Sequence, residues 1–110
     1  MSDQGFFQKS INAAGAAAQA MTATGNINGS STSVAVTPAA LSTVSLPEQL
    51  ASAGQTITVT NVDGAFIVTV AVQTGDSIGG VVDGTAALAA VALTTGVFTS
   101  LGAGGWIQTV

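Results

Sequence analysis

Residues 55–73, QTITVTNVDGAFIVTVAVQ, alternate apolar and polar side chains on both sides of an Asp-Gly pair. Ile57 and Val59 alternate with threonines before the pair, and valines alternate with polar or small residues after it. A repeat of two residues places successive side chains on opposite faces of a strand, with one face in a core. Asp-Gly favours the two-residue turn of a hairpin, so the stretch predicts two antiparallel strands joined at Asp63 and Gly64.

The same pattern continues through most of the chain. Short alternating segments are separated by glycines at the spacing typical of small sandwiches and barrels. The predicted strands are 32–37, 42–46, 55–62, 66–73, 77–82, 86–93, 96–101 and 105–110. We therefore predict a mainly β fold, a small antiparallel β-sandwich or barrel of about 7–8 short strands preceded by a short N-terminal helical arm.

The arm is predicted from a different periodicity. Between Phe6 and Ala23 the apolar positions step by four and three residues, which is the seam of a helix. The predicted organisation is a helical anchoring arm over 1–25, a polar linker over 26–33 and a β domain over 34–110. The seam fits an anchoring arm or short coiled coil, and also a helix packed on its own domain. As an arm, its predicted partner-binding residues are Phe6, Phe7, Ile11 and Met21.

The N-terminal region does not have the pattern of a secretory signal. Asp3 lies where such a signal is positive, and Gln8 to Asn12 interrupt the segment that would be its apolar core. The chain also has no continuous apolar run of about 18 residues, so the sequence predicts no membrane span.

Charged residues are unusually scarce. They make up 5% of the 110 residues and give a net charge of −4. The charged residues are Asp3, Lys9, Glu48, Asp63, Asp76 and Asp83. One lysine cannot neutralise a row of phosphates, which excludes a nucleic-acid partner. Cysteine, histidine, tyrosine and arginine are absent, which excludes disulfides, imidazole catalysis and thiolate or imidazole metal sites.

The scarcity of charge leaves few residues that could protect strand edges from pairing with other chains. Monomeric sheet proteins protect their edges with lysine and other charges, and after Lys9 this chain has no lysine. We expect the edges to be closed in a barrel, covered, or paired with other subunits, and we favour pairing between subunits.

Few side chains remain that could perform chemistry. The sequence Gly75 to Gly80, GDSIGG, is similar to a serine-protease nucleophile motif, but Ile78 breaks its spacing and no histidine is present. Asp63, Asp76 and Asp83 each adjoin glycine, the usual setting of a turn aspartate; a carboxylate pair or a calcium site are the alternatives.

The remaining candidate is aromatic. Trp106 could stack on a sugar or lie in the core or in a subunit interface. We predict no catalytic residues, no cofactor and no metal ligand.

Several segments together resemble a β module of tailed-bacteriophage virion proteins, found in capsid decoration proteins, head fibres and tail-fibre ends. Val44-Ser45-Leu46-Pro47 resembles its opening strand, residues 53–61 its "AGQTITVTN" strand, and residues 69–80 its "VTV…GDTING" step. Gly104 to Ile107 resembles its closing "GTGWYVV" strand. The N-terminal arm is not part of that module. The resemblance implies a trimeric β appendage without catalytic residues.

The function expected is that of a non-enzymatic virion protein. We predict a capsid decoration or head-fibre subunit, located on the virion, that forms a homotrimer and binds the major capsid protein or another virion protein, with no membrane partner. The alternative is a tail-fibre or tail-tip module that binds a cell-surface receptor or glycan. A tail-tube or connector subunit is a third possibility.

Overall fold

The computed structural model describes residues 18–110, of which 45% lie in strands and 3% in helix. The eleven strands are β1 Ala18–Met21, β2 Gly25–Asn26, β3 Ser33–Val36, β4 Ser42–Ser45, β5 Thr56–Asn61, β6 Val68–Ala71, β7 Ser77–Ile78, β8 Val81–Val82, β9 Thr85–Leu88, β10 Thr94–Ser100 and β11 Trp106–Gln108. A 3₁₀ turn, Gly102–Gly104, precedes β11. The prediction of a mainly β fold is confirmed.

These strands form two mixed sheets rather than antiparallel ones. One sheet has seven strands in the order β1-β3-β5-β10-β11-β7-β8, and the other has four in the order β9-β6-β4-β2. The pairs β1/β3, β3/β5, β2/β4 and β4/β6 are parallel. Strands β9 and β10 then run antiparallel to β6 and β5. The predicted antiparallel arrangement is therefore wrong for the pairs among the first six strands, and β7 and β11 also pair in parallel.

The parallel pairs arise because the chain alternates between the sheets. Strands β1, β3 and β5 belong to the seven-stranded sheet, and the strands that follow each of them, β2, β4 and β6, belong to the other. Each β-loop-β step is therefore one coil, and three coils stack in parallel with Met21, Val36 and Asn61 in one row. The first half of the described chain is a short two-sheet solenoid.

This winding explains why the predicted hairpin is wrong. Strands β5 and β6 flank Asp63 and Gly64 but lie in different sheets. A two-residue turn joins strands about 4.8 Å apart, whereas packed sheets lie about 10 Å apart. The chain needs residues 62–67 to cross that gap, and the alternation in residues 55–73 then points both strands into the same core from opposite sides.

Every predicted strand from residue 32 onwards overlaps an observed one, but Thr85–Leu88 and Thr94–Ser100 begin one and two residues before the predicted 86–93 and 96–101. The segment 77–82 is divided into β7 and β8 by Gly79 and Gly80, which both have positive φ angles of 59° and 82°. A left-handed pair of this kind is a tight turn that glycine adopts without steric cost.

The predicted helix is wrong where the structure describes it. Residues 18–21 are strand β1, parallel to β3, and Asn26 of the predicted linker lies in strand β2. The sequence of β1 also has a period of two, since Gln19 and Met21 are more buried than Ala18 and Ala20. Sheet pairing and burial of Met21 outweigh the helix preference of alanine here. The earlier part of the predicted arm lies outside the described residues.

The core lies between the two sheets. The seven-stranded sheet contributes Met21, Val34, Val36, Ile57, Val59, Ile78, Phe98 and Trp106. The four-stranded sheet contributes Val44, Val68, Val70 and Leu88, and the loops add Ile27 and Leu46. Because the solenoid winding faces both sheets inward, strands distant in sequence share one apolar interior.

Candidate docking surface

The acidic residues of the described chain all lie on loops. Asp76 accepts a hydrogen bond from the backbone N–H of Gln49 (2.9 Å), and Asp83 accepts one from the N–H of Gly75 (2.7 Å). Both carboxylates therefore hold the backbone of another segment, 27 and 8 residues away, rather than the backbone of their own turn. Within residues 18–110 no three acidic side chains converge as metal ligands.

Trp106 is fully buried. Its indole Nε1 donates a hydrogen bond to the carbonyl oxygen of Pro47 at 3.0 Å, and its ring belongs to the core. A buried ring presents no face on which a sugar could stack. The core interpretation of Trp106 is confirmed, and the sugar-stacking interpretation is wrong for this structure.

The segments that carry the sequence resemblance meet at one end of the sandwich. Ser77 donates its N–H to Gln49 Oε1 (2.9 Å), and Ser100 Oγ donates to the carbonyl of Gln49 (2.7 Å). Gly105 lies against Ser77, where an added Cβ would be 2.0 Å from Ser77 Oγ. These residues fasten loops 46–55, 72–76 and 101–105 together, so their role is to hold the fold.

The opposite end of the sandwich carries six of the eleven exposed large apolar side chains of the described chain. There the chain crosses between sheets through residues 22–24, 37–41 and 62–67, and returns through 89–93. We call the exposed apolar residues of these loops the apolar cap. Its members are Leu41, Val62, Phe66, Ile67, Val91 and Leu93.

Strand register makes the cap continuous. Ser42 and Val68 are paired at the start of two parallel strands. The residues just before them, Leu41 and Ile67, therefore lie side by side where the chain enters the four-stranded sheet. On the other sheet the N–H of Leu93 donates to the carbonyl of Asn61 at 2.8 Å, which places Leu93 beside Val62. Residues from both sheets thus contribute to one surface.

Asn61 fixes two of the loops of the cap. It is fully buried, and its Nδ2 donates to the carbonyls of Phe66 (2.7 Å) and Ala89 (3.1 Å). Its Oδ1 accepts the N–H of Gly64 at 3.2 Å. One amide therefore supplies three hydrogen bonds to the backbone of loops 62–67 and 89–93, and the part of the cap on these two loops is a preformed surface.

The cap and the far end differ in charge. Asp63 is the one charged residue in the cap loops, while Glu48, Asp76 and Asp83 lie at the far end. The far end also exposes Leu50, Val81, Val82 and Leu101, but these are interspersed with carboxylates. Contiguous exposed apolar surface of this kind marks sites of protein association.

The outer faces of both sheets are uncharged in the described chain. On the larger sheet, hydroxyls pair across strands between Thr56 and Thr99 (3.0 Å) and between Thr60 and Thr95 (3.2 Å). Such pairs stabilise the sheet and leave its surface polar without charge.

The predicted partner-binding residues are not the residues of the cap. Met21 lies in the core and is 9% exposed, so it is unavailable as an exposed anchor. Phe6, Phe7 and Ile11 lie outside the described residues. Sequence analysis missed the cap, although the run Ala89 to Leu93, AAVAL, exceeds the alternation of a half-buried strand and was a signal for it.

The described chain shows no ligand-sized cavity. No helix among residues 18–110 is long and apolar enough to cross a membrane. Comparison of the chain with protein-family models, with curated proteins and with solved structures finds no match.

Proposed function

We propose that this protein is a non-enzymatic structural subunit that attaches to a larger protein assembly through its apolar cap. The observation that carries the proposal is the cap itself: six exposed apolar side chains on three adjoining loops, with Asp63 as the one charged residue of those loops. Burial of such side chains against a partner is favourable, and desolvation of charge costs little there because so little is present.

We propose a virion as the assembly, with the subunit decorating the capsid or forming a head fibre. The support is the sequence resemblance of residues 43–110 to virion appendage modules. Segments of that resemblance meet at the far end, where Trp106 donates a hydrogen bond to Pro47 and Gly105 lies against Ser77. Such contacts suit a module whose shared residues preserve a shape and leave the surface free to vary.

The proposed mechanism is stabilisation by mass action. A subunit that binds the assembled shell, and not its separated parts, shifts the equilibrium toward the assembled state. A standard interface of about 800 Å² on each partner is sufficient for specific attachment. Because Asn61 holds the cap loops together before binding, little conformational entropy remains to be lost on attachment.

The receptor-binding alternative has no comparable support. Of the exposed loops and Trp106 that would contact a sugar, the Trp106 ring is inside the core and cannot stack on one.

The experiment is an inventory of virus particles purified from the source of the chain. Mass spectrometry is expected to find the protein in the particle fraction, and gold-labelled antibody is expected to mark the outer surface of the shell. Protein found only in fractions free of particles would contradict the proposal. Label confined to the tail tip would contradict capsid decoration.

A further inference from the structure

The solenoid ends in two strands with an unpaired side. Among the described residues, β1 is an edge strand of the seven-stranded sheet and β2 is an edge strand of the four-stranded sheet. Both belong to the same coil, so the two sheets end together. A sheet edge exposes backbone donors and acceptors and is a template for a further strand.

The hydrogen bonds show which groups are available. Thr37 donates its N–H to the carbonyl of Met21 at 2.8 Å, so the backbone of Met21 faces β3. Successive residues of a strand direct their N–H and C=O groups to opposite sides. The N–H and C=O of Ala20 therefore point away from β3, into the open edge.

Strand β1 itself carries no charge, proline or bulge of the kind that protects an edge. It reads Ala-Gln-Ala-Met and pairs with β3 in continuous register. Ala18 and Ala20 are exposed and small, so a neighbouring backbone can approach closely.

The core is also least covered at this end. Met21 is 9% exposed, whereas Val34 and Val36 on the next strand are at most 1% exposed. Gly25 leaves room for Met21, because a Cβ there would lie 3.3 Å from Met21 Cε. Another layer over the first coil would complete the burial of Met21.

We infer that a second copy of this chain pairs with this edge, strand β1 against β1 in antiparallel orientation around a two-fold axis perpendicular to the sheets. The same axis places β2 near its counterpart, so both sheets continue from one copy into the other. A two-fold interface uses one surface twice, and an edge without charge meets no like-charge repulsion. Edge geometry thus favours a pair of copies over the trimer that the family resemblance implies.

The test uses the full chain and two substitutions at one position. Ala20→Pro removes the outward N–H, which bonds to nothing in the described chain, so the single copy is expected to keep its fold. Ala20→Thr is the matched control, because it keeps the N–H and suits a strand. Thermal unfolding of both variants checks that the fold is retained.

Sedimentation equilibrium is expected to give twice the 10.6 kDa of one chain for the unmodified protein and for Ala20→Thr. Ala20→Pro is expected to raise the dissociation constant about tenfold or more, since at least one intermolecular hydrogen bond is lost. A single-chain mass at all concentrations, or pairing unaffected by proline, would overturn the inference. A three-chain mass insensitive to Ala20→Pro would also overturn it and would assign association to another surface.

Hydrogen exchange at the Ala20 amide supplies a readout without mutation. Protection that rises with protein concentration is the expected result. Protection that is constant in a single chain would show that the edge is covered by the same chain, which contradicts pairing of copies. Neither result depends on the apolar cap, so this inference and the proposed function can fail separately.

Discussion

Single residues decide how the loops of the apolar cap meet. Gly64 has a φ of +73°, and a Cβ built on it would lie 2.2 Å from the backbone nitrogen of Ala92. The close approach of these loops therefore requires glycine, and the bonds from Asn61 depend on that approach. Asp-Gly is indeed a turn signal, but here its glycine allows two loops to pack rather than closing a hairpin.

We predict that Gly64→Ala destabilises the protein by at least about 3 kcal/mol, because the added carbon overlaps backbone that cannot move cheaply. Gly54→Ala is the matched control: its φ is +83°, and no atom lies within 4 Å of the added Cβ. Left-handed strain alone is expected to cost about 1–2 kcal/mol there. Free energies of unfolding from urea titration measure both, and equal losses would contradict the steric account.

The positions of the strands could be predicted from the local sequence pattern, but the sheet to which each strand belongs could not. Alternation located the strands from residue 32 onwards because it reports burial of one face, which is a local property. It could not assign strands to sheets, since β5 and β6 face one core from opposite sides and look the same as a hairpin. The alanines of Ala18–Met21 fit the apolar pattern of a helix and of a strand equally well. Pairing with β3 makes this segment a strand.

The candidate site was predictable only in part for the same reason. The cap consists of residues from loops distant in sequence, which the parallel register of β4 and β6 brings side by side. Its individual leucines and valines look like ordinary core residues in the sequence. Trp106 was the reverse case, since either a surface or a core position fitted its sequence context and only the fold buried it.

The fluorescence of Trp106 tests whether its ring is buried at the far end, where it bonds to Pro47. It is the one tryptophan in the chain, so its fluorescence reports a single environment. We predict blue-shifted emission that is unchanged by added sugars and shifts red in one step on unfolding. Trp106→Phe is expected to cost about 2–4 kcal/mol, through the smaller ring and the lost bond to Pro47. Emission at the wavelength of solvated tryptophan, or a response to sugars, would contradict burial.

Residues 18–110 are polarised along the direction of the strands. One end holds three carboxylates and the interlocked loops, and the other holds the apolar cap. The sheet faces between them carry hydroxyls and no charge in the described chain. An account in which the cap attaches to a shell and the far end faces solvent explains this distribution with one orientation.

The most direct measurement of that orientation compares two leucines of equal exposure at opposite ends. Leu93 in the cap is 67% exposed and Leu50 at the far end is 65% exposed, so lysine at either position should change stability by no more than about 0.5 kcal/mol. The measurement is the rebinding of each variant to virus particles from which the protein has been removed. Leu93→Lys is expected to weaken attachment about tenfold or more, because a charge must be buried, while Leu50→Lys binds as the unmodified chain does. Equal attachment of both variants, or loss with Leu50→Lys alone, would contradict docking through the cap.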